Sequence, residues 1–130
     1  CILKNDTINE YVQKVKEADG VILGSPTYFA DISAELKAFI DRVGMVGKVN
    51  GDLFKRKPGA AVVAVRRSGE VHAFDSINHF FLIEQMIVVG SSYWNNGRGL
   101  APGDVQEDVE GIQTMQTLGK NMAWVIKKLK

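Results

Sequence analysis

The stretch Gly20-Val21-Ile22-Leu23-Gly24-Ser25-Pro26-Thr27-Tyr28-Phe29 decides the fold of this chain. Its apolar run Val21–Leu23 is typical of a parallel strand that is covered on both faces. The Gly-Ser-Pro triplet ends that strand, and two aromatic residues follow on a loop before a helix opens. Since open α/β sheets bind ligands at the carboxyl ends of their strands, this loop is the first candidate binding site.

The rest of the sequence alternates helical patterns with short apolar runs. The predicted elements are helices over about 7–18, 31–47, 70–84 and 107–128, and strands over about 21–23, 60–65 and 86–89. Asp31 or Ser33 begins the second helix, and Gly44 and Gly47 end it. In the third helix, Leu82 is expected to face inward together with other apolar residues.

The order of these elements predicts the sheet. Alternating helices and strands favour a parallel sheet with right-handed crossovers. A polar connection is predicted over 49–58, and a Gly- and Asn-rich loop over 93–103. The 130 residues are expected to form a single domain, 1–130, whose three strands are few for a doubly wound fold.

Composition narrows the class of protein. The chain is 45% hydrophobic and 24% charged with a net charge of +1, so no basic field favours nucleic acid. No apolar run has the length of a membrane span, and the amino end lacks a signal peptide, so a cytoplasmic location is expected. The single cysteine, Cys1, cannot form an internal disulfide. Since the chain does not begin with Met, a processed or partly recorded chain is expected.

Three loops at predicted strand ends carry the candidate site residues. They are Ser25, Pro26, Thr27, Tyr28, Phe29 and Ala30 in the first loop, Arg66, Arg67, Ser68 and Gly69 in the second, and Tyr93 and Trp94 in the third. Aromatic rings and backbone N–H groups suit a planar ligand, and the arginines suit an anion. The alternatives are core aromatics on an ordinary turn and arginines that are merely solvated.

The segments Gly24–Phe29, Leu36–Arg42 and Pro102–Ala123 resemble the flavodoxin-like NAD(P)H-dependent FMN reductases. The resemblance covers nearly the whole chain and is close to the iron–sulfur flavoprotein branch. It implies a three-layer α/β/α sandwich with a parallel sheet. It also implies that the first strand, its phosphate loop, the first helix and the second strand of the family fold precede this chain, so that its N-terminal part is missing.

The resemblance further implies an FMN-dependent oxidoreductase that transfers electrons. NAD(P)H or a reduced ferredoxin would be the donor, and a flavin, quinone, metal ion or other small molecule would be the acceptor. The three loops would bind FMN, with no catalytic acid–base residue and no metal ligand. Relatives form dimers or tetramers, and Tyr93 and Trp94 are the candidate interface residues. Ala30 stands where the family usually has Gly.

Two other functions remain open. A flavodoxin-like chain without cofactor would serve as an interaction or assembly module, as the absent phosphate loop suggests. A phosphoacceptor domain needs an acidic cluster at the strand ends, and Asp31 alone is a poor match. Cys1 occupies the place of the last cysteine of an iron–sulfur cluster in the related branch, but a cluster needs several thiolates, so none is predicted.

Overall fold

The computed structural model describes residues 1–3 and 5–130, and helices and strands alternate in it as far as residue 88. The helices are α1 (Ile8–Glu17), α2 (Ala34–Val49), α3 (Glu70–Ile83), α4 (Asp104–Glu107) and α5 (Val109–Leu129). The strands are β1 (Val21–Pro26), β2 (Pro58–Val65), β3 (Ile87–Val88) and β4 (Asn96–Arg98). No helix of these described residues is long and apolar enough to span a membrane.

The four strands form one parallel sheet around β2, which confirms the predicted parallel arrangement but includes one strand more than the three that were predicted. β1 pairs with one edge of β2 from Val21 opposite Gly59 to Pro26 opposite Ala64. The other edge is shared, since β3 pairs with the start of β2 and β4 pairs with its end. β4 lies within the Gly- and Asn-rich loop predicted over 93–103, so this segment contains a short strand that was not predicted.

Helices cover the two faces of the sheet unequally. On one face, α1, α2 and α3 enclose the larger core, which includes the fully buried Val43, Phe54, Ile77 and Phe81. On the opposite face, Leu118 and Met122 of α5 form a smaller cluster with Ala60 and Val89. β1 alternates between buried and exposed residues, so the expectation that this strand is covered on both faces is wrong.

The helix α2 continues through the two glycines that were expected to end it. Ser33 caps the helix by accepting a hydrogen bond from the N–H of Leu36 at 3.2 Å. A Cβ on Gly47 would lie 2.6 Å from Cε2 of Phe54, which is buried in the connection predicted to be polar. Gly47 therefore permits close packing rather than ending the helix.

Two further details of the helices differ from the expectations. Leu82 is exposed, while Phe80 takes a buried position on the inner side of α3. The last helical region is divided at Asp108, whose side chain caps α5 by accepting from the N–H of Gly111 at 3.0 Å. The short α4 precedes this cap, so the helix predicted to start near residue 107 begins after a break.

Candidate functional site

The loop after β1 contains a tight turn that presents two aromatic rings. The N–H of Tyr28 donates to the carbonyl of Asp31 at 2.8 Å, and the N–H of Asp31 donates back to Tyr28 at 3.0 Å. The two residues between them, Phe29 and Ala30, have φ values of 49° and 64°. Non-glycine residues adopt this left-handed region at a cost, and such strain concentrates at functional sites. Phe29 is fully exposed and Tyr28 is 60% exposed.

The carboxylate of Asp31 fixes this turn to the helix α3. It accepts hydrogen bonds from the hydroxyl of Ser76 at 2.7 Å and from the N–H of Ile32 at 2.8 Å. These two hydrogen bonds hold the pKa of the Asp31 carboxyl below its usual value. Nε2 of His72 lies 3.6 Å from the other carboxylate oxygen. Asp31 was not among the predicted site residues, although its place directly after the aromatic turn was visible in the sequence.

Ser25 and Thr27 lie beneath the turn. The buried hydroxyl of Ser25 donates to the carbonyl of Pro26 at 2.7 Å and accepts from the N–H of Ser33 at 2.9 Å, so it supports the loop from inside. The N–H of Thr27 donates to the carbonyl of Ala64 at 2.8 Å. Oγ1 of Thr27 is buried without a hydrogen-bond partner, which is uncommon for a hydroxyl group.

The second predicted loop touches the first through Gly69. This residue has a φ of 92°, and a Cβ on it would lie 3.0 Å from both Cα and Cβ of Ala30 and 3.5 Å from Cγ2 of Thr27. A side chain at Gly69 would therefore collide with the first loop. Gly69 also caps α3, so the positive end of that helix lies beside the aromatic turn. Arg66, Arg67 and Ser68 are exposed in the same loop.

The third predicted loop carries a separate aromatic cluster. The rings of Tyr93 and Trp94 have centroids 6.0 Å apart, and Trp94 lies 6.2 Å from Phe74 of α3. Tyr93 and Trp94 remain 61% and 52% exposed. Both precede β4, on the edge of β2 opposite β1. The aromatic cluster therefore packs on α3 through Phe74, whereas the first two loops contact each other through Gly69.

Arg98 and Glu70 connect the end of β4 to the start of α3. Nη2 of Arg98 lies 3.2 Å from Oε1 of Glu70, whose side chain is largely buried. The prediction omitted both residues. Glu70 could have been predicted as a site residue, because it directly follows the glycine of the second loop. Arg98 could not, because its position depends on β4, which was not predicted.

The described residues do not provide an iron–sulfur or metal centre. Among residues 1–3 and 5–130, no three His, Cys, Asp or Glu side chains lie together in an arrangement that could hold a metal ion. Sγ of Cys1 accepts a hydrogen bond from Arg42 at 3.3 Å, and Arg42 also pairs with Asp6 at 2.7 Å. One thiolate does not fit an iron–sulfur cluster, which needs several.

Comparison with known proteins identifies the family. Residues 2–101 match the model described as NADPH-dependent FMN reductase. The chain belongs to this family. An iron-sulfur flavoprotein of Methanocaldococcus jannaschii is 43% identical over 131 residues, which cover 96% of this chain and 67% of the relative. An iron-sulfur flavoprotein of Methanosarcina thermophila is 33% identical over 129 residues, which cover 98% of this chain and 65% of the relative. The chain thus spans about two thirds of the length of these two relatives.

Solved structures confirm the flavodoxin-like fold of this FMN reductase family member. A WrbA-like flavodoxin from Agrobacterium tumefaciens superimposes with a TM-score of 0.64 at 15% identity, covering 84% of this chain and 71% of the other. A flavodoxin from the domain Archaea superimposes with a TM-score of 0.57 at 22% identity, covering 84% and 69%. These identities show the fold, and the family membership places the chain among flavin-associated oxidoreductases.

The residues at the carboxyl edge of the sheet fit a flavin. Tyr28 and Phe29 offer exposed aromatic faces. In the same loop, Oγ1 of Thr27 is buried and has no hydrogen-bond partner among the described residues. Gly69 leaves the backbone of the two loops in contact without an intervening side chain. A planar ring of mixed polarity is the kind of ligand that such a surface accommodates.

Proposed function

We propose that this chain forms the flavin-binding part of an FMN-dependent oxidoreductase that takes electrons from NAD(P)H and passes them to a flavin, quinone or other small acceptor. The contact of Gly69 with Ala30 and Thr27 is the observation that carries the proposal. It joins two of the predicted loops into one surface at the carboxyl edge of β1 and β2, beside the positive end of α3. Family membership supports the same ligand class.

In this proposal the chain binds and orients the cofactor, and bound FMN supplies the redox chemistry. Tyr28 and Phe29 pack their rings on the flavin, and the strained backbone between Tyr28 and Asp31 presents N–H groups to its polar edge. Asp31 keeps that turn in place through Ser76. The chain need not supply a catalytic acid or base for this role.

The exposed arginines of the second loop serve anionic groups in the proposal. Arg66 and Arg67 lie at the carboxyl end of β2, next to the aromatic turn in the fold. Their guanidinium groups suit the charge of a reduced flavin or the phosphate of a nicotinamide cofactor. Tyr93 and Trp94 form the proposed contact between copies of the chain in a dimer or tetramer, since large exposed aromatics often mark interfaces.

We infer that a further strand and helix complete the sheet next to β1 in the functional protein. Ile22 is 52% exposed on the uncovered face of this edge strand. A groove of about 340 Å³ runs beside it and is lined mainly by apolar groups, among them Val62, Val105, Ile112 and Met115. An apolar helix on this face and a strand at the free edge of β1 would bury both. The loop between them would hold the FMN phosphate, for which this chain offers no assigned residue.

An FMN titration tests the proposed cofactor site. The fluorescence of FMN is followed as the protein is added, and a visible spectrum is recorded after desalting. The double variant Tyr28→Ala/Phe29→Ala is expected to weaken binding about tenfold or more through lost stacking. Trp124→Ala is the matched control, because Trp124 is an exposed aromatic on α5 that lies outside the site.

The outcomes separate this proposal from the cofactor-free assembly module. Weaker binding in the double variant and unchanged binding in the control support the site. Equal affinity in all three proteins would reject the assignment of Tyr28 and Phe29. If neither this chain nor a longer natural protein that contains it binds FMN, the flavin function fails and the assembly module is favoured.

A further inference from the structure

A groove between α2 and α3 lies on the outer side of the larger core, and its lining includes Asp31 of the aromatic turn. It has a volume of about 480 Å³ and apolar walls formed by Ile40, Met45, Phe80 and Ile83. Met45 and Ile83 are about two-thirds exposed, so they form an open rim. This volume falls in the range of small-molecule sites, which also combine apolar walls with a few polar groups.

The carboxyl group of Glu84 lines this groove and is the unusual group in it. Glu84 is only 1% exposed, and its Oε2 has no hydrogen-bond partner. Gly44 and Gly47 leave the space that it occupies, since Cβ atoms on them would lie 3.5 Å from Oε1 and 2.8 Å from Oε2. Burying a carboxyl group without a hydrogen-bond partner costs folding free energy. A ligand that donates a hydrogen bond to Glu84 would supply the missing partner.

The neighbouring cations are already engaged by other carboxylates. Lys48 pairs with Asp52 at 2.9 Å, and Lys37 pairs with Asp41 at 2.5 Å. Burial raises the pKa of the Glu84 carboxyl, and the charge of Lys48 opposes this effect only in part. A new cation beside Glu84 would therefore find an acceptor that no described residue has saturated.

We propose that the α2–α3 groove binds a small cationic amphiphile, an apolar body with one amine or guanidine nitrogen that pairs with Glu84. The apolar walls accept the body of the ligand, and the nitrogen donates to the carboxylate. The lining favours a cation, because it contains three carboxyl groups, those of Asp31, Asp41 and Glu84, and only two lysines. The remaining titratable residue of the lining is His79. The proposal does not depend on flavin binding, although Asp31 belongs to both the groove and the aromatic turn.

The probe for this proposal is 4-phenylbutylamine, and 4-phenylbutanol is its neutral counterpart. Binding is followed from the backbone amide resonances of the isotope-labelled protein in an NMR titration. The amine is expected to shift resonances of residues 40–48 and 79–84 and to bind at least about tenfold more tightly than the alcohol, because a charge-assisted hydrogen bond replaces a neutral one. Glu84→Gln is expected to remove this preference.

Two further variants keep the test decisive. Met45→Lys places a positive charge on the exposed rim without disturbing the core, so it should weaken the amine and spare the alcohol even if Glu84→Gln fails to fold. Asp75→Asn removes a charge from the exposed side of α3 outside the groove, so amine binding should be unchanged.

Three results would overturn the proposal. One is equal binding of amine and alcohol to the unaltered protein. Another is a shift of resonances elsewhere in the protein with none from α2 or α3. The third is a dimer by sedimentation that Met45→Lys converts to a monomer and that does not bind the amine, because the groove would then serve a second copy of the chain.

Discussion

The two faces of the sheet differ in how completely helices cover them. The face under α1, α2 and α3 encloses Phe54, Ile77 and Phe81 without solvent exposure. The opposite face is covered by α5 only in part, and Ile22 stays half exposed. On the first face the apolar side chains are packed away from solvent, whereas the second face leaves apolar side chains exposed. The residues that stabilise the described chain by burial therefore lie mainly on the first face. The exposed apolar surface that we propose a further helix covers lies on the second face.

The largest expected effect is the loss of a ring from the covered face. Phe81→Ala should lower the free energy of unfolding by about 3–5 kcal/mol, because Phe81 is fully buried and packs tightly against Gly59. Urea denaturation followed by circular dichroism measures the change. Leu82→Ala is the control, since Leu82 is the exposed neighbour on the same helix and should cost under about 1 kcal/mol. Similar losses in both variants would refute the assigned core.

Substitutions of Gly47 and Gly119 compare the packing of the two faces through a smaller change in stability. Gly47→Ala should destabilise the protein by about 1–3 kcal/mol, because the new methyl group would collide with Phe54 and Glu84 on the covered side. Gly119→Ala in α5 should stabilise it by about 0.5–1 kcal/mol, because nothing lies within 4 Å of the added Cβ and alanine favours the helix. Thermal unfolding of both variants gives the signs, and equal signs would contradict the packing described.

The buried carboxyl of Glu84 makes the stability of the covered face depend on pH. Burial raises its pKa above the usual 4.5, so the folded state keeps a proton that the unfolded state loses. This group leaves stability unaffected below about pH 4.5. As the pH rises from there to the folded-state pKa, it lowers the free energy of unfolding by at most about 1.4 kcal/mol per pH unit.

The variant Glu84→Gln isolates this dependence from that of the other carboxyl groups. Its stability relative to the unaltered protein should increase as the pH rises above 4.5, since glutamine does not ionise. Urea denaturation at several pH values between 4 and 8 measures the difference. A difference that stays constant over this range would show that the pKa of Glu84 is not raised.

The smallest effect is expected on the uncovered face. Ile22→Thr should change the free energy of unfolding of this chain by less than about 0.5 kcal/mol, because the side chain is half exposed and threonine suits a strand. The same substitution in a longer protein whose extra helix covers β1 should cost about 1.5–3 kcal/mol. Equal small costs in both proteins would argue against the proposed covering helix.

Local sequence signals predicted the elements whose structure depends on local chemistry. The apolar run after Gly20 predicted β1, and Ser33, one of the two residues expected to begin the second helix, caps it. The parallel sheet followed from the alternation of elements, which limits how strands can connect. These predictions succeeded because helix capping and strand composition act over a few residues.

Other features depended on contacts between distant residues. β4 has the sequence Asn-Gly-Arg, which disfavours a strand, but the side-chain amide of Asn95 donates to the carbonyl of Ala61 at 2.9 Å and holds the segment to β2. Gly47 looked like a helix end because its contact, Phe54, lies across a loop. Tertiary packing overrode the local preference in both places.

The geometry of the loops at the candidate site could be predicted from the sequence only in part, because it too depends on contacts between distant residues. Topology brought the first two loops to one edge, as the contact between Gly69 and Ala30 shows. The left-handed conformation of Phe29 and Ala30 and the hydrogen bond from Ser76 to Asp31 were not predicted. A left-handed turn that contains no glycine has no recognisable sequence pattern. A hydrogen bond between residues 45 positions apart can be predicted only when the fold is known.

The split pairing on the far edge of β2 has a consequence for the evolution of the chain. The N–H of Val89 donates to Gly59 at 2.9 Å, and the carbonyl of Asn95 accepts from Val63 at 2.9 Å, so the edge is anchored independently on both sides of residues 90–94. Insertions and deletions in that segment can accumulate without shifting the register of either anchor. The aromatic cluster that it carries can therefore diversify between descendants while the sheet beneath it stays constant.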